Sequence, residues 1–430
     1  MRATFRAARR TWLARAGANA LALLVGGCAS SARSRARGSV VVVGGGYGGA
    51  TAARYLALWG GASVQVTLIE ADARFVSCPL SNLVLGGSKS IDDITRDYDG
   101  LARHGVRVVN DRATAIDHDR HEVRLSRGDA VAYEHVVVSP GIDFLFERIG
   151  GLRSADARER VLHAYKAGPQ TVALRKQIEA MPDGGVFAIS IPRAPYRCPP
   201  APYERACQVA WYFRLAKPRS KVLVLDANEE VQSKKALFER AWREDYPGMV
   251  EYRPDCVLTD VDSATLTARF EVAEDVRADV LNVIPPHGAA AIARSAGLVT
   301  ANDQWCEVDF LTFESVRAPG IHVLGDAIQI APLMPKSGHM ANQHGKVAAS
   351  AILAQLFDLP LDRSQVISNT CYSFITDREA VHVASVHAYD PMQKTFVTVP
   401  GSGGLSAAKS ELEGRYGFAW AQSIWNDMLS

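Results

Sequence analysis

Apolar residues along this chain fall into two kinds of run. Val40–Val43 is a continuous β-branched run, the pattern of a parallel strand covered on both faces, and Val186–Ile191 reads as a second strand. Each is followed by apolar residues at helical spacing, Ala50–Trp59 and Tyr203–Leu215. A further strand then ends on an acid, Val64–Ile69 at Glu70 and Lys221–Leu225 at Asp226. Two strand–helix–strand units are therefore predicted. Shorter strands are predicted at Val106–Val109 and within 123–138, the latter running into Ser139-Pro140-Gly141. Val280–Ile284 and Ile321–Leu324 read as strands that return to the first unit, and Ala341–Phe357 reads as a helix.

The turn after the first strand is Gly44-Gly45-Gly46-Tyr47-Gly48-Gly49, with glycines at 44, 46 and 49. Between a strand and a helix, with Glu70 closing the next strand, this is a dinucleotide fingerprint. The first glycine permits the turn, the second admits a pyrophosphate, and the third lets helix and strand pack. The helix N-terminus then offers free amides to the phosphates, and Glu70 is placed to accept from the adenosine ribose. Ile321–Ala327, carrying Gly325-Asp326, resembles the second fingerprint of flavoproteins built from two dinucleotide domains, with Asp326 at the ribityl or pyrophosphate region. FAD is the expected cofactor.

The second unit has no such fingerprint. Its turn reads Pro192-Arg193-Ala194-Pro195-Tyr196-Arg197-Cys198-Pro199-Pro200-Ala201-Pro202. Proline fixes φ and lacks an amide hydrogen, so this loop cannot cradle a pyrophosphate. It holds Cys198 stiffly, which suits redox work; a rigid connector with a passive cysteine is the plainer alternative.

The fold class expected is α/β, with two Rossmann-like dinucleotide-binding-type domains, the FAD domain discontinuous, and a C-terminal interface domain. The boundaries are 1–37 for a leader and linker, 38–150 and 279–357 for the FAD domain, 151–278 for a degenerate NAD-type domain carrying the Cys198 loop, and 358–430 for the C-terminal domain.

The chain has 430 residues, 48% apolar and 22% charged, which excludes disordered and collagen-like classes. Its formal charge of +2 turns negative without Arg2, Arg6, Arg9, Arg10 and Arg15, so the mature part has no electrostatic reason to seek nucleic acid. Those arginines belong to a segment that reads as an export leader. Arg9-Arg10-Thr11-Trp12-Leu13 resembles a twin-arginine motif, the stretch 16–27 is uncharged, and Val25-Gly26-Gly27-Cys28 resembles a lipoprotein cleavage site. A periplasmic protein without an integral span in its mature chain is expected, and lipidation of Cys28 is left open.

Of seven cysteines, Cys78, Cys198, Cys207, Cys256, Cys306 and Cys371 remain in the mature part, with no CxxC, zinc or CxxCH spacing. Spacing alone does not pair them. His104, His163, His287, His339 and His344 lie scattered, with no spacing that suggests a metal site.

Several stretches together resemble the flavoprotein subunit of flavocytochrome c sulfide dehydrogenase, within the wider sulfide:quinone reductase group. They are Val41–Ala50, Ser77-Cys78-Pro79-Leu80-Ser81-Asn82, Arg197–Arg205, Gly325-Asp326, Pro335-Lys336-Ser337-Gly338 and Asn369-Thr370-Cys371-Tyr372-Ser373. The resemblance implies that Cys78 bonds covalently to the methyl edge of the flavin, that Cys198 and Cys371 form a redox disulfide beside the ring, and that Glu204 assists proton transfer. It also implies sulfide as substrate. Flavin releases electrons singly, and this chain lacks a haem attachment motif, so a separate c-type cytochrome subunit is the expected partner. Two other readings stand beside it: a sulfide:quinone reductase, and a non-catalytic flavoprotein partner of a sulfur-oxidising system. The aromatic stretch Phe418–Leu429 is read as a helix docked on the protein rather than a membrane helix, and Glu229–Arg243 as a solvated face. Pro335–Gly338 either shapes the flavin pocket or caps the next helix.

Overall fold

The computed structural model describes residues 37–430. The leader, its paired arginines and Cys28 lie outside the described residues.

Strand β1 (Gly38–Val43) leads through the glycine turn into helix α1 (Tyr47–Gly60), and β2 (Val64–Glu70) follows. Val40 to Val43 are all buried, as an unalternating run requires. A short helix α2 (Ser81–Gly86) comes next, then β3 (Arg107–Asn110). Three strands at Ala113–Asp117, Glu122–Leu125 and Ala130–Ala132 form a small sheet that packs Ile116, Val123 and Leu125 into the same core. Strand β4 (His135–Val138) then pairs in parallel with β1.

The second unit has β5 (Val186–Ile191), α3 (Ala201–Ala216), β6 (Lys221–Asp226), α4 (Lys235–Glu244), β7 (Val250–Arg253) and β8 (Val280–Val283). These strands form a parallel sheet in the order β7-β6-β5-β8. The expectation that Val280–Ile284 returns to the first sheet is thereby corrected, because Val280 pairs with Phe187 of β5. A short, largely apolar segment such as Val280–Ile284 signals a buried strand but not which sheet supplies its neighbours. Asn282 fixes the choice locally. Its buried amide donates to the Leu162 and His163 carbonyls and accepts from Arg205. The crossing back to the first sheet therefore follows Ile284 rather than beginning at residue 279.

Helix α4 also departs from the solvated face expected of Glu229–Arg243. Leu237, Phe238, Ala241 and Trp242 are buried along one side, and the charges occupy the other.

Strand β9 (Ile321–Val323) completes the first sheet, in the order β9-β4-β1-β2-β3. It leads to helix α5 (Gly338–Leu356), which packs along α1. Their approach is close enough that a Cβ on Gly345 would lie 2.5 Å from the Gly48 carbonyl oxygen. The C-terminal part is an antiparallel sheet of β10 (Val366–Phe374), β11 (Ala380–Asp390) and β12 (Thr395–Thr398), followed by helix α6 (Glu411–Leu429). Helix α6 is docked on the protein. Ala421, Ile424, Trp425 and Met428 are buried, and the Trp425 indole donates to the Tyr47 hydroxyl at 3.1 Å. Among the described residues no helix is long and apolar enough to cross a membrane.

Candidate functional site

The three fingerprint glycines are required for different reasons. Gly44 has φ +94°, and a Cβ there would lie 2.3 Å from the Ser139 carbonyl oxygen. A Cβ on Gly49 would lie 1.8 Å from the Gly44 carbonyl oxygen. Both are dictated by the protein's own packing. A Cβ on Gly46, by contrast, meets no protein atom within 4 Å, so the fold alone does not demand a glycine there. A ligand passing close to the backbone does.

Glu70 accepts the Gly45 amide at 2.6 Å and the Asp72 amide at 2.8 Å, and its carboxylate keeps lone pairs for a ribose hydroxyl. Gly325, at φ +75°, turns the chain after β9 and presents Asp326. Burial pushes the Asp326 carboxyl up, and its Oδ1 has no partner among the described residues. A buried acceptor left so is unusual and points to a ligand hydroxyl. Amides at a helix start, a glycine open to solvent-side approach and an unpartnered aspartate fit the pyrophosphate and ribityl parts of FAD.

Cys78, Cys198 and Cys371 come together from three segments. With Asn82, Glu204, Ser337, Gly338 and Trp420 they line one cavity. Cys78 lies in the turn before α2, where its carbonyl accepts the Ser81 amide. Cys198 sits at φ +52° in the proline loop. Its amide donates to the Lys336 carbonyl at 2.7 Å, and its carbonyl accepts the Tyr165 hydroxyl at 2.9 Å. Pro200 and Pro202 then suit the first turn of α3, where amide hydrogens have no helical acceptor. Cys371 is in β10, with its Sγ 3.5 Å from Asn369 Oδ1. All three are free thiols, while Cys207, Cys256 and Cys306 are buried elsewhere.

Glu204 is buried in the cavity wall with both carboxylate oxygens engaged. Oε1 accepts the Phe374 amide at 2.8 Å and Oε2 the Asn82 side chain at 2.9 Å. Burial raises its pKa, and these hydrogen bonds oppose the rise. It thus ties together the segments of all three cysteines. Next to it, Arg205 donates to Asn82, Asn282 and the carbonyls of His163 and Ala164.

Sequence reasoning gave no role to Asn82, Arg197, Arg205, Lys234 or Lys336. Arg197 Nη2 lies 2.9 Å from Cys78 Sγ. The Lys336 ammonium sits 3.5 Å from the centroid of the Trp305 ring and donates to the Asp326 and Ile328 carbonyls; burial pushes it down to about 7. Buried charges follow no hydrophobic period, so only their place inside or beside the resembling motifs hinted at them. In the Pro335–Gly338 segment, Ser337 caps α5 through the Met340 amide, and Ser337 and Gly338 line the cavity that holds the cysteines.

The histidines are less scattered than their spacing suggested. His163 and His287 pack on Phe144, His287 accepts the Arg197 amide, and His339 lines the cavity and accepts the Thr370 amide. Burial pushes His163 down to about 3 and His339 to about 4, so they are neutral. Among the described residues no cluster suited to a metal ion occurs. In the second unit, Asp226 is buried and accepts from the Tyr203 and Tyr252 hydroxyls at 2.6 and 3.1 Å. The acid that would meet a nucleotide ribose is thus engaged by the protein's own phenols.

Three families match the chain: "Pyridine nucleotide-disulphide oxidoreductase" at residues 38–168, "Sulfide dehydrogenase [flavocytochrome c] flavoprotein chain, central" at 171–285, and "Flavocytochrome c sulphide dehydrogenase, flavin-binding" at 363–429. A sulfide dehydrogenase [flavocytochrome c] flavoprotein chain of Chlorobaculum thiosulfatiphilum is 56% identical over 45 residues, 10% of this chain and 92% of that relative. The mitochondrial sulfide:quinone oxidoreductase of Mus musculus is 24% identical over 329 residues, covering 71% of this chain and 69% of its own. The sulfide:quinone oxidoreductase structure from Aquifex aeolicus shares the fold, with a TM-score of 0.70 at 17% identity over 91% of each chain.

Proposed function

We propose that this chain, whose residues 171–285 and 363–429 match the central and flavin-binding regions of flavocytochrome c sulfide dehydrogenase flavoprotein chains, oxidises hydrosulfide through a Cys198–Cys371 disulfide and passes the electrons to a separate c-type cytochrome subunit in the periplasm. The observation that supports this most is the convergence of Cys78, Cys198 and Cys371 on one cavity beside the start of α5. Hydrosulfide attacks one sulfur of the disulfide. The sulfur–sulfur bond breaks, the attacked cysteine keeps the new sulfur as a persulfide, and the other leaves as a thiolate. The charge of the incoming anion ends on that thiolate, so the step balances. Bound FAD supplies an electron-pair acceptor that can give electrons up one at a time.

The protein's part is to hold the sulfurs. The proline loop and the left-handed backbone at Cys198 restrict one, and β10 restricts the other. Glu204, with both oxygens bound to N–H donors, fixes their separation, which suits positioning better than proton transfer. Cys78, held against Arg197, is the residue that bonds the flavin. Acid precipitation tests that bond: colour in the pellet supports it, and colour in the supernatant refutes it.

The purified chain with sulfide and cytochrome c tests the reading as a whole. Wild type reduces the cytochrome, and Cys371→Ser loses nearly all of this activity. A Cys371→Ser protein oxidising sulfide at the wild-type rate would remove the disulfide from the mechanism. A sulfide:quinone reductase is the second reading, favoured by the match to the mouse enzyme across most of the chain. Sulfide-dependent reduction of quinone but not of cytochrome would select it.

A further inference from the structure

Lys234 is a costly residue where it stands. It is 5% exposed, and its backbone lies at φ +57° in the left-handed region, which disfavours side chains of this kind. A glycine or asparagine would turn the chain into α4 more cheaply. The ammonium is fixed from two sides, donating to the Cys371 carbonyl oxygen at 2.8 Å and to Ser373 Oγ at 2.7 Å. Among the described residues its third N–H has no protein acceptor. The lysine comes from the second unit and reaches across to the C-terminal sheet, next to a cysteine whose thiol has little else to neutralise a charge.

We infer that Lys234 is a positioning residue for Cys371, its ammonium compensating the negative charge that this sulfur carries when the Cys198–Cys371 bond opens. This rests on the proposed function but holds whether hydrosulfide attacks Cys198, leaving a Cys371 thiolate, or attacks Cys371, leaving a persulfide that ionises.

The two thiols are surrounded differently. Cys371 has the Lys234 ammonium held on its own carbonyl, the Asn369 amide oxygen and Ser337 beside it, and Glu204 opposing. Cys198 feels Cys371 and Glu204 against it, and Arg197 and Lys234 in its favour. Lys234 in turn faces Cys371, Glu204, Cys198 and Glu413, and burial pushes it down to about 8. Burial raises both thiols, Cys198 well above its ordinary value, and the lysine draws Cys371 back. The lysine is thus charged at neutral pH, and a Cys371 thiolate in turn favours its charged form.

The test uses the FAD-loaded protein, reduced without oxygen and alkylated with iodoacetamide across pH, with the Cys371 and Cys198 peptides quantified by mass spectrometry. In wild type, Cys371 becomes reactive at lower pH than Cys198. Lys234→Gln raises the Cys371 midpoint by about one pH unit or more, moving Cys198 less, and Lys234→Arg restores part of the shift. An unchanged Cys371 profile in Lys234→Gln overturns the inference. Should that variant not fold, Ser373→Ala, which frees one anchor of the ammonium, must raise the Cys371 midpoint; no rise overturns it, as does wild-type Cys198 reacting at lower pH than Cys371. No sulfide is used. A shifted profile in a protein that does not oxidise sulfide would therefore defeat the proposed function and leave the lysine's role intact.

Discussion

Asn82 is the place where one small change should loosen the whole sulfur site. Its side chain donates to Glu204 Oε2 at 2.9 Å and to the Ala201 carbonyl at 3.0 Å, and it accepts from Arg205 Nε at 3.1 Å. All three side chains are buried. Asn82→Ala removes these bonds and leaves a carboxylate oxygen and a guanidinium N–H each one partner short. A charged group stripped of a partner costs about 1–3 kcal/mol, and the void left by the amide adds about 1 kcal/mol. These sum to about 3–7 kcal/mol, of which bound water recovers part. The assay is urea unfolding with FAD in excess, beside Gln393→Ala, which removes an exposed amide bonded to Asp390 and should stay within about 0.5 kcal/mol of wild type. Sulfide-dependent cytochrome reduction should fall with stability retained by cooling, because Asn82 links α2, which follows Cys78, to α3, which follows Cys198. An Asn82→Ala protein within about 1 kcal/mol of wild type and equally active would show that the network neither holds the fold nor aligns the cysteines.

Two further outcomes follow from the geometry. Gly46→Ala should fold normally but bind FAD much more weakly, whereas Gly49→Ala should fail to fold, because its Cβ would overlap the Gly44 carbonyl; equal FAD affinity in Gly46→Ala, measured by fluorescence titration, would remove the pyrophosphate from that turn. His322 is fully buried between the Thr312 carbonyl and His135, and burial pushes it down to about 3. Its folded value lies below its ordinary one, so its contribution is complete above about 6.5 and is lost as pH falls from there towards 3. His322→Gln should make unfolding free energy less steep in pH between 6 and 4 by about one proton, or about 1.4 kcal/mol per pH unit; an unchanged slope in urea titrations at several pH values would refute it.

The strands and helices that build each sheet were legible because burial on two faces leaves an unbroken apolar run, and the glycine turn announces its own geometry. Val280–Val283, apolar but for Asn282, belongs to the second sheet and not the first, because such a segment reports burial and not partnership. The cysteines were marked by their surrounding motifs. The buried polar and charged residues that organise them were not, since Asn82, Arg205 and Lys234 are explained only by contacts with residues 41 to 137 positions away. Hydrophobic spacing carries no trace of such pairs. Lys234 was further hidden by neighbours whose mixed charges suggested a solvated surface, when Phe238 and Trp242 one and two turns later face inward.

The crossing of the chain between its two sheets sets an order on biosynthesis. The fingerprint glycines are translated early, yet β9, Asp326 and the start of α5, which complete the same pocket, come only after residue 320. A ribosome-bound intermediate that has not reached them carries half a cradle. Cofactor capture must therefore wait until three-quarters of the polypeptide has emerged, and Cys371 and Trp420 close the chamber later still.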